Sequence, residues 1–209
     1  MVQGKNEPDD SLPGFAYYYS LAKSLQRMFD PGTVFDIGCA SGALVSAFLR
    51  LGCTAWGCDI RQECLSQAQP EVRTRLLNLD ITEARSPFED GTFDLITMID
   101  VTEHLNSLAW TTEVNRLLKS DGHLYISTPS PISLLAARYR DPTHVNVRGK
   151  KSWIRLLNCY GLSLVRDLPK EERTKALAHL GGNSLTDKLV LAYCRWMANP
   201  RSDLIFQKP

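Results

Sequence analysis

Two acidic residues and two glycines lie close together in the first third of the chain, in the order that a nucleotide-binding corner requires. Asp36 precedes a short loop that runs from Gly38 to Gly42, and Asp59 ends the next predicted strand. A carboxylate at Asp36 repels a pyrophosphate but attracts a sulfonium that also carries an α-amino group. A carboxylate at Asp59 can accept hydrogen bonds from both hydroxyls of a ribose. Together these residues favour S-adenosylmethionine (SAM) over NAD as the ligand.

A second group of reactive side chains follows a later predicted strand. Asp100, Glu103 and His104 are close in sequence, and His144 lies in a later loop. Because a neutral imidazole can take a proton from a hydroxyl near pH 7, His104 and His144 are candidate general bases. The four side chains also offer two carboxylates and two imidazoles, a ligand set suited to a divalent metal such as Mg²⁺. The alternative is that Glu103 and His104 cap a helix and contact cofactor or backbone.

Alternating strands and helices position these residues. The hydrophobic pattern predicts strands at 33–37, 55–59, 75–78, 93–99, 124–128, 162–168 and 203–208. Helices are predicted at 15–29, 43–49, 61–69, 108–119, 153–160, 171–180 and 185–198. This order predicts an α/β fold with a doubly wound, mostly parallel sheet and helices on both faces. Ligands of such sheets bind outside the carboxyl ends of the strands, where the acids at 36, 59 and 100 lie.

Length and composition indicate a single globular domain. The chain has 209 residues, of which 44% are hydrophobic and 22% charged, and a net charge of +1. The balanced charge argues against a long nucleic acid as a partner. No apolar run approaches the ~20 residues needed to cross a bilayer, and the polar N-terminus is unlike a signal peptide. We therefore expect a cytoplasmic protein without a membrane partner, comprising a flexible tail at 1–14 and one domain at 15–209.

Five motifs in this order resemble those of the class I SAM-dependent methyltransferases. The segment 36–42 is similar to the first motif, with Ala40 where a middle glycine is usual; alanine is expected to fit there with a negative φ. The segments 56–59, 78–81, 93–105 and 117–124 resemble the motifs that follow. The resemblance implies a seven-stranded sheet with one antiparallel edge strand, interrupted here by a helical insertion at about 169–201.

The resemblance also implies roles for individual residues. The first helix would lie over the cofactor, Asp80 would face the adenine amino group, and an apolar neighbour would stack on the ring. For Asp80 the alternative is a turn or helix cap. The residues expected to bind SAM are Tyr19, Asp36, Gly38, Cys39, Ala40, Gly42, Asp59, Ile60, Asp80, Ile81 and Ile99.

Two branches of this family share the pattern of histidines and acids. The ubiquinone-pathway O-methyltransferases show a carboxylate-x-x-Glu-His run, like 100–104 here. The small-RNA 2′-O-methyltransferases add a later histidine after a Ser-Thr-Pro stretch, like 127–129 here. We predict a methyltransferase that acts on a small molecule, at a hydroxyl oxygen. The alternatives are a metal-dependent RNA 3′-terminal 2′-O-methyltransferase and a binding protein that has lost catalysis.

The acceptor side carries a local excess of basic residues. These are Arg138, Arg140, Arg148, Lys150 and Lys151. They can hold an anionic acceptor, although a solvated loop is the simpler explanation. The insertion would lie over the acceptor side or at an interface, so we also allow for a homodimer.

Overall fold

A computed structural model describes residues 15–131, 141–167 and 201–209. The predicted tail at 1–14, the predicted helices at 171–180 and 185–198, and the basic residues Arg138 and Arg140 lie outside the described residues.

The described elements alternate as the sequence pattern predicts. The strands are β1 Thr33–Ile37, β2 Thr54–Asp59, β3 Leu76–Asn78, β4 Phe93–Ile99, β5 Leu118–Pro129, β6 Ser163–Asp167 and β7 Arg201–Gln207. The helices are α1 Phe15–Phe29, α2 Ala43–Arg50, α3 Gln62–Leu65, α4 Pro70–Arg73, α5 Ala109–Leu117 and α6 Lys150–Cys159. A short 3₁₀ helix, Thr102–His104, follows β4.

The seven strands form one mixed sheet in the order β3-β2-β1-β4-β5-β7-β6. The pairs among β1 to β5 are parallel, whereas β7 runs antiparallel to both β5 and β6. The predicted fold class is confirmed, with the antiparallel strand one place in from the edge. The strand order reverses between β1 and β4, and this reversal opens a crevice at their carboxyl ends.

Alternating side chains of the strands build a hydrophobic core on each face of the sheet. On one face, Val34 and Leu95 pack with Leu25 of α1 and Phe48 of α2. On the other face, strand residues one position along the chain pack with the buried Trp110 of α5 and Trp153 of α6. Both faces are covered, which explains why the central strands are almost continuously apolar. Among the described helices, none is long and apolar enough to cross a membrane.

Several element boundaries differ from the prediction. The predicted helix at 61–69 is shortened to α3, and Pro70 begins a second helix, α4. Proline suits the first turn of a helix, because the N–H groups there make no hydrogen bond within the helix. α6 begins at Lys150, three residues before the predicted helix, with Gly149 at the N-cap position. β5 begins at Leu118, six residues before the predicted strand, and includes the left-handed residue Asp121 (φ 63°).

Candidate cofactor and acceptor site

A cleft opens at the carboxyl ends of β1 and β4, beside the start of α2. It is lined by Asp36 near the end of β1, by the loop after β1, by α1 and by the end of β4. The lining residues are Tyr18, Asp36, Gly38, Cys39, Ala40, Ser41, Ala43, Leu44 and Ile99.

The Asp36 carboxylate is held in the cleft by the neighbouring strand. Asp36 of β1 lies directly across from Thr97 of β4, and the Thr97 hydroxyl donates a hydrogen bond to Asp36 Oδ1 at 2.7 Å. Burial, and to a smaller extent the charge of nearby Asp59, raise the pKa of Asp36 to about 7, and the Thr97 hydrogen bond opposes this rise. A cationic ligand would stabilise the ionised carboxylate, so this site is suited to a sulfonium with an α-amino group.

Two glycines of the loop adopt the left-handed backbone conformation, Gly38 with φ 78° and Gly42 with φ 79°. A Cβ atom on Gly38 would also lie 2.1 Å from Cγ2 of Val101. A Cβ atom on Gly42 would lie 2.9 Å from Cγ1 of Val72. Both positions therefore require glycine on two counts, backbone conformation and space.

The expectation of a negative φ at Ala40 is wrong, because Ala40 has φ 47°. A left-handed alanine costs about 1–2 kcal/mol relative to an ordinary conformation. Its backbone N–H donates to Asp59 Oδ2 at 2.9 Å, which holds the residue in place. The loop after β1 is thus strained at the residue that lines the cleft, as is common at ligand sites.

Asp59 accepts several hydrogen bonds from the chain itself. Besides Ala40, the backbone N–H of Arg61 donates to Oδ1 at 2.9 Å. The Arg61 guanidinium donates from Nε to Oδ1 at 3.1 Å and from Nη2 to Oδ2 at 3.2 Å. Burial favours the neutral acid, but the Arg61 hydrogen bonds outweigh it and hold the pKa of Asp59 below its usual range. A ribose diol would have to displace the guanidinium, whose side chain is 54% exposed.

The residues expected around adenine differ in their exposure and in their contacts. Ile60 is 64% exposed beside Asp59, whereas Ile81 is 6% exposed and packs within the hydrophobic core. Asp80 Oδ1 accepts hydrogen bonds from the backbone N–H and the hydroxyl of Thr82, at 2.8 and 2.7 Å. This is the turn arrangement that the sequence offered as the alternative for Asp80.

Tyr18, rather than Tyr19, is the tyrosine of α1 that lines the cleft. Its hydroxyl is mostly surrounded by protein, and burial together with the Asp36 charge raises its pKa. Tyr19 packs against Phe15, with ring centroids 5.8 Å apart. The predicted contact of α1 with the cleft therefore uses the residue one position earlier.

Beyond Ile99, the 3₁₀ helix and the loop at 141–146 bring three candidate metal ligands together. Ligand atoms of Glu103, His104 and His144 all lie within 4.8 Å of one another. Glu103 Oε2 accepts a hydrogen bond from Thr128 at 3.0 Å, while the buried atoms Glu103 Oε1 and His144 Nδ1 have no hydrogen-bond partner among the described residues. Burial, and then nearby Asp100, raise the pKa of Glu103 to about 7.

Asp100, the fourth predicted metal ligand, is not part of this group within the described chain. It directly follows β4 in a left-handed conformation with φ 54°, and it forms an ion pair with Arg201 at the start of β7. Arg201 also donates to the backbone carbonyl of Ser127 at 3.2 Å. The Arg201 side chain is only 12% exposed, so Asp100 neutralises a largely buried cation.

Two of the described basic residues near the acceptor side, Arg148 and Lys150, contact protein groups. Lys150 forms an ion pair with Asp167. Arg148 donates to the Asn146 side chain at 2.6 Å and lies over the Trp153 ring at 5.6 Å. These contacts agree with the simpler explanation, a set of surface side chains.

Most of the chain matches a known protein family. Residues 15–167, more than half of the chain, match the family model described as a methyltransferase domain. The chain belongs to the class I SAM-dependent methyltransferases. SAM is the cofactor of this family.

Curated relatives of the methyltransferase match part of its length. The ubiquinone biosynthesis O-methyltransferase of Paraburkholderia xenovorans is 32% identical over 101 residues, which are 46% of this chain and 44% of the relative. The uncharacterized protein MJ0638 of Methanocaldococcus jannaschii is 32% identical over 102 residues, 49% of this chain and 43% of the relative. The chain thus spans less than half the length of these relatives.

Solved structures share the fold of the methyltransferase over nearly its whole length. YcgJ from Bacillus subtilis superposes with a TM-score of 0.62 at 20% identity, covering 91% of this chain and 98% of that one. Geranyl diphosphate methyltransferase, solved in complex with SAM, gives a TM-score of 0.61 at 16% identity, covering 97% and 92%. At these identities the likeness shows the fold alone.

Some residues at the site were not predicted. Ser41, Ala43 and Leu44 line the cleft because the first turn of α2 faces it, and the motif of the methyltransferase could have indicated this. Arg201 carried no local signal, because it is 101 positions from Asp100 in the sequence.

Proposed function

We propose that the methyltransferase transfers the methyl group of SAM to a hydroxyl oxygen of a small molecule. The observation that carries the proposal is the contact between two imidazoles next to the end of β4, those of His104 and His144, with ring centroids 4.7 Å apart. Methylation of a hydroxyl needs a group that removes the hydroxyl proton, and imidazoles near neutral pH are suited to that task. The names of the curated relatives support oxygen as the acceptor atom.

When bound, SAM supplies the electrophilic methyl group. In the proposed mechanism Asp36 holds the cationic methionine end, and Asp59 holds the ribose once Arg61 has moved aside. Ile99 and Tyr18 exclude water from the cleft between them. His104 or His144 takes the hydroxyl proton as the acceptor oxygen attacks, so that no alkoxide has to form in water. The chain thus contributes orientation and a proton acceptor.

A divalent metal such as Mg²⁺ is a further part of the proposal. Glu103, His104 and His144 fit such an ion, because Glu103 Oε1 and His144 Nδ1 are buried atoms without a hydrogen-bond partner among the described residues. An ion held there would stabilise negative charge on the acceptor oxygen. Asp100 would join the ligands only by leaving Arg201.

The fold by itself does not select methyl transfer. The [4+2]-cyclase SpnF shares it with a TM-score of 0.59 at 16% identity. The proposal therefore rests on the acids around the cleft and the imidazoles next to the end of β4. None of the contacts among described residues favours an RNA acceptor over a small one, since Arg148 and Lys150 are engaged with protein groups.

The test is methylation by the purified chain of 3,4-dihydroxybenzoate, a small anionic probe with two hydroxyls, followed by mass spectrometry. His104→Ala or His144→Ala should lower turnover about 100-fold while SAM affinity stays unchanged. His123→Ala is the matched control, because His123 lies in β5 against Phe29, with ring centroids 4.2 Å apart. Failure to methylate this probe and simple phenols with SAM bound, or methylation of an RNA 3′ end in their place, would contradict the proposed function.

The metal has its own test. If Mg²⁺ takes part, a chelator should abolish turnover, added Mg²⁺ should restore it, and Glu103→Gln should weaken Mg²⁺ binding in calorimetry. Full activity in chelator would leave the imidazoles as simple bases and remove the ion from the proposal. Gel filtration with light scattering would test the predicted homodimer.

A further inference from the structure

The loop that carries His144 also contacts His104, through Thr143. The Thr143 hydroxyl lies 2.9 Å from His104 Nδ1. The same hydroxyl donates a hydrogen bond to Asp141 Oδ1 at 2.6 Å. Asp141 Oδ1 also accepts the backbone N–H of Thr143 at 2.8 Å, which fixes the turn between them. A carboxylate, a hydroxyl and an imidazole thus form a continuous chain of hydrogen bonds.

The number of available protons determines which atom donates in each of these hydrogen bonds. A threonine hydroxyl has a single proton, and Asp141 accepts it. Toward His104 the hydroxyl oxygen can then only accept, so the donor must be Nδ1–H. A neutral His104 held in this way carries its proton on Nδ1 and its lone pair on Nε2.

We propose that Thr143 and Asp141 are positioning residues that hold neutral His104 in the Nδ1–H tautomer and leave Nε2 as its proton-accepting atom. This inference rests on the proposed function, in which His104 stands beside the acceptor. A free imidazole prefers its proton on Nε2, the atom that the hydrogen-bond chain leaves open. The chain of hydrogen bonds reverses that preference, as an oriented base requires.

The loop itself is anchored to the element that carries His104. The backbone N–H of Asn146 donates to the carbonyl of Glu103 at 2.9 Å, and its side-chain amide donates to the carbonyl of Thr102 at 3.2 Å. The His144 ring meets the His104 ring at 69°. Thr143 is therefore held next to His104 by contacts of the residues that follow it in the loop.

The direct test is the tautomer of His104, measured by ¹⁵N–¹H NMR of the labelled full chain with SAM at mildly alkaline pH. His104→Gln identifies the resonances. The wild type should show mainly the Nδ1–H form, and Thr143→Ser should keep it. Thr143→Val, which has the same shape without the hydroxyl, should return His104 to the Nε2–H preference of free imidazole. Asp141→Ala should favour Nε2–H more strongly, because the freed hydroxyl proton can then be donated to Nδ1.

Kinetics with 3,4-dihydroxybenzoate supply the second readout. Thr143→Val should lower kcat about tenfold or more, with the KM for SAM unchanged, and Thr143→Ser should restore most of it. An Nδ1–H signal that persists in Thr143→Val, or an Nε2–H form in the wild type, would overturn the inference. If the tautomers behave as expected but no probe is methylated, the positioning role stands and the proposed function fails. SAM calorimetry on each variant verifies that it is folded.

Discussion

The two sides of the cleft differ in how their polar groups are satisfied. On the cofactor side, Asp36 accepts a hydrogen bond from Thr97 and Asp59 accepts from Ala40 and Arg61. On the acceptor side, buried atoms of Glu103 and His144 have no hydrogen-bond partner among the described residues. Partnered acids keep one orientation, whereas unpartnered groups are costly unless something binds them. The difference indicates that the acids of the cofactor side are already oriented, with only Arg61 to be displaced, and that the acceptor side is completed by what it binds.

Substitution of Gly38 tests the cofactor side with the largest expected effect. Gly38→Ala should lower the free energy of unfolding by about 2–5 kcal/mol, from left-handed strain and from overlap with Val101. Gly52→Ala is the matched control: Gly52 is also left-handed, with φ 89°, but a Cβ there would meet nothing within 4 Å. It should cost only about 1–2 kcal/mol. Equal losses in urea unfolding would show that space around Gly38 is not limiting.

Asp59→Ala tests whether SAM binding depends on the cofactor side alone. Loss of the ribose acceptor should weaken SAM binding by about 2 kcal/mol, roughly 30-fold in Kd. In the same calorimetric assay, His144→Ala should bind SAM like the wild type. If His144→Ala also lost SAM, the two sides would form one site and the comparison would be wrong.

The pH dependence of SAM binding tests Asp36. Because burial raises its pKa to about 7, SAM affinity should fall by up to about tenfold per pH unit below 7 and stay constant above. Without SAM, the folded chain holds this proton more tightly than the unfolded chain, where the ordinary pKa is 3.8. The free energy of unfolding should therefore fall as pH rises from 3.8 to about 7. In Asp36→Asn the pH dependence of SAM affinity should disappear, and that of the free energy of unfolding should become shallower, because Glu103, whose pKa is also raised to about 7, still contributes. An unchanged SAM profile in this variant would assign the dependence to another group.

Arg61→Ala has the smallest expected effect, and it should strengthen SAM binding rather than weaken it. Its guanidinium competes with ribose for Asp59, and an exposed ion pair of this kind contributes about 0.2–1 kcal/mol. SAM should therefore bind about twofold to fivefold more tightly to the variant. Weaker binding would mean that Arg61 contacts SAM itself.

Local patterns in the sequence were sufficient for the sheet and for the loop after β1. Asp36, Gly38 and Gly42 act within a few residues of one another, and strand periodicity placed them correctly. The left-handed Ala40 could not be predicted, because it depends on Asp59, which is 19 positions away. The choice between Tyr18 and Tyr19 depends on the rotation of α1 over the sheet, which helical spacing does not determine.

The acceptor side was less predictable for a related reason. The histidines were found from their residue types, but the ion pair of Asp100 with Arg201 joins the ends of two strands that are far apart in sequence. The hydrogen bond from Thr143 to Asp141 was open to prediction, since Asp-Pro-Thr is a turn signal. Its contact with His104 joins residues 39 positions apart and needed the structure.

The place of β7 between β5 and β6 has a consequence for how the molecule assembles. β5 finds its antiparallel neighbour only after a long stretch of intervening chain has been brought back to it, as in the bond from Tyr125 to Asp203, 78 positions apart. Such non-local pairings carry a large loop-closure cost and slow folding. The segments around β1 and β2 are neighbours in sequence and can condense early, whereas the ion pair of Asp100 with Arg201 can form only after β7 has paired with β5.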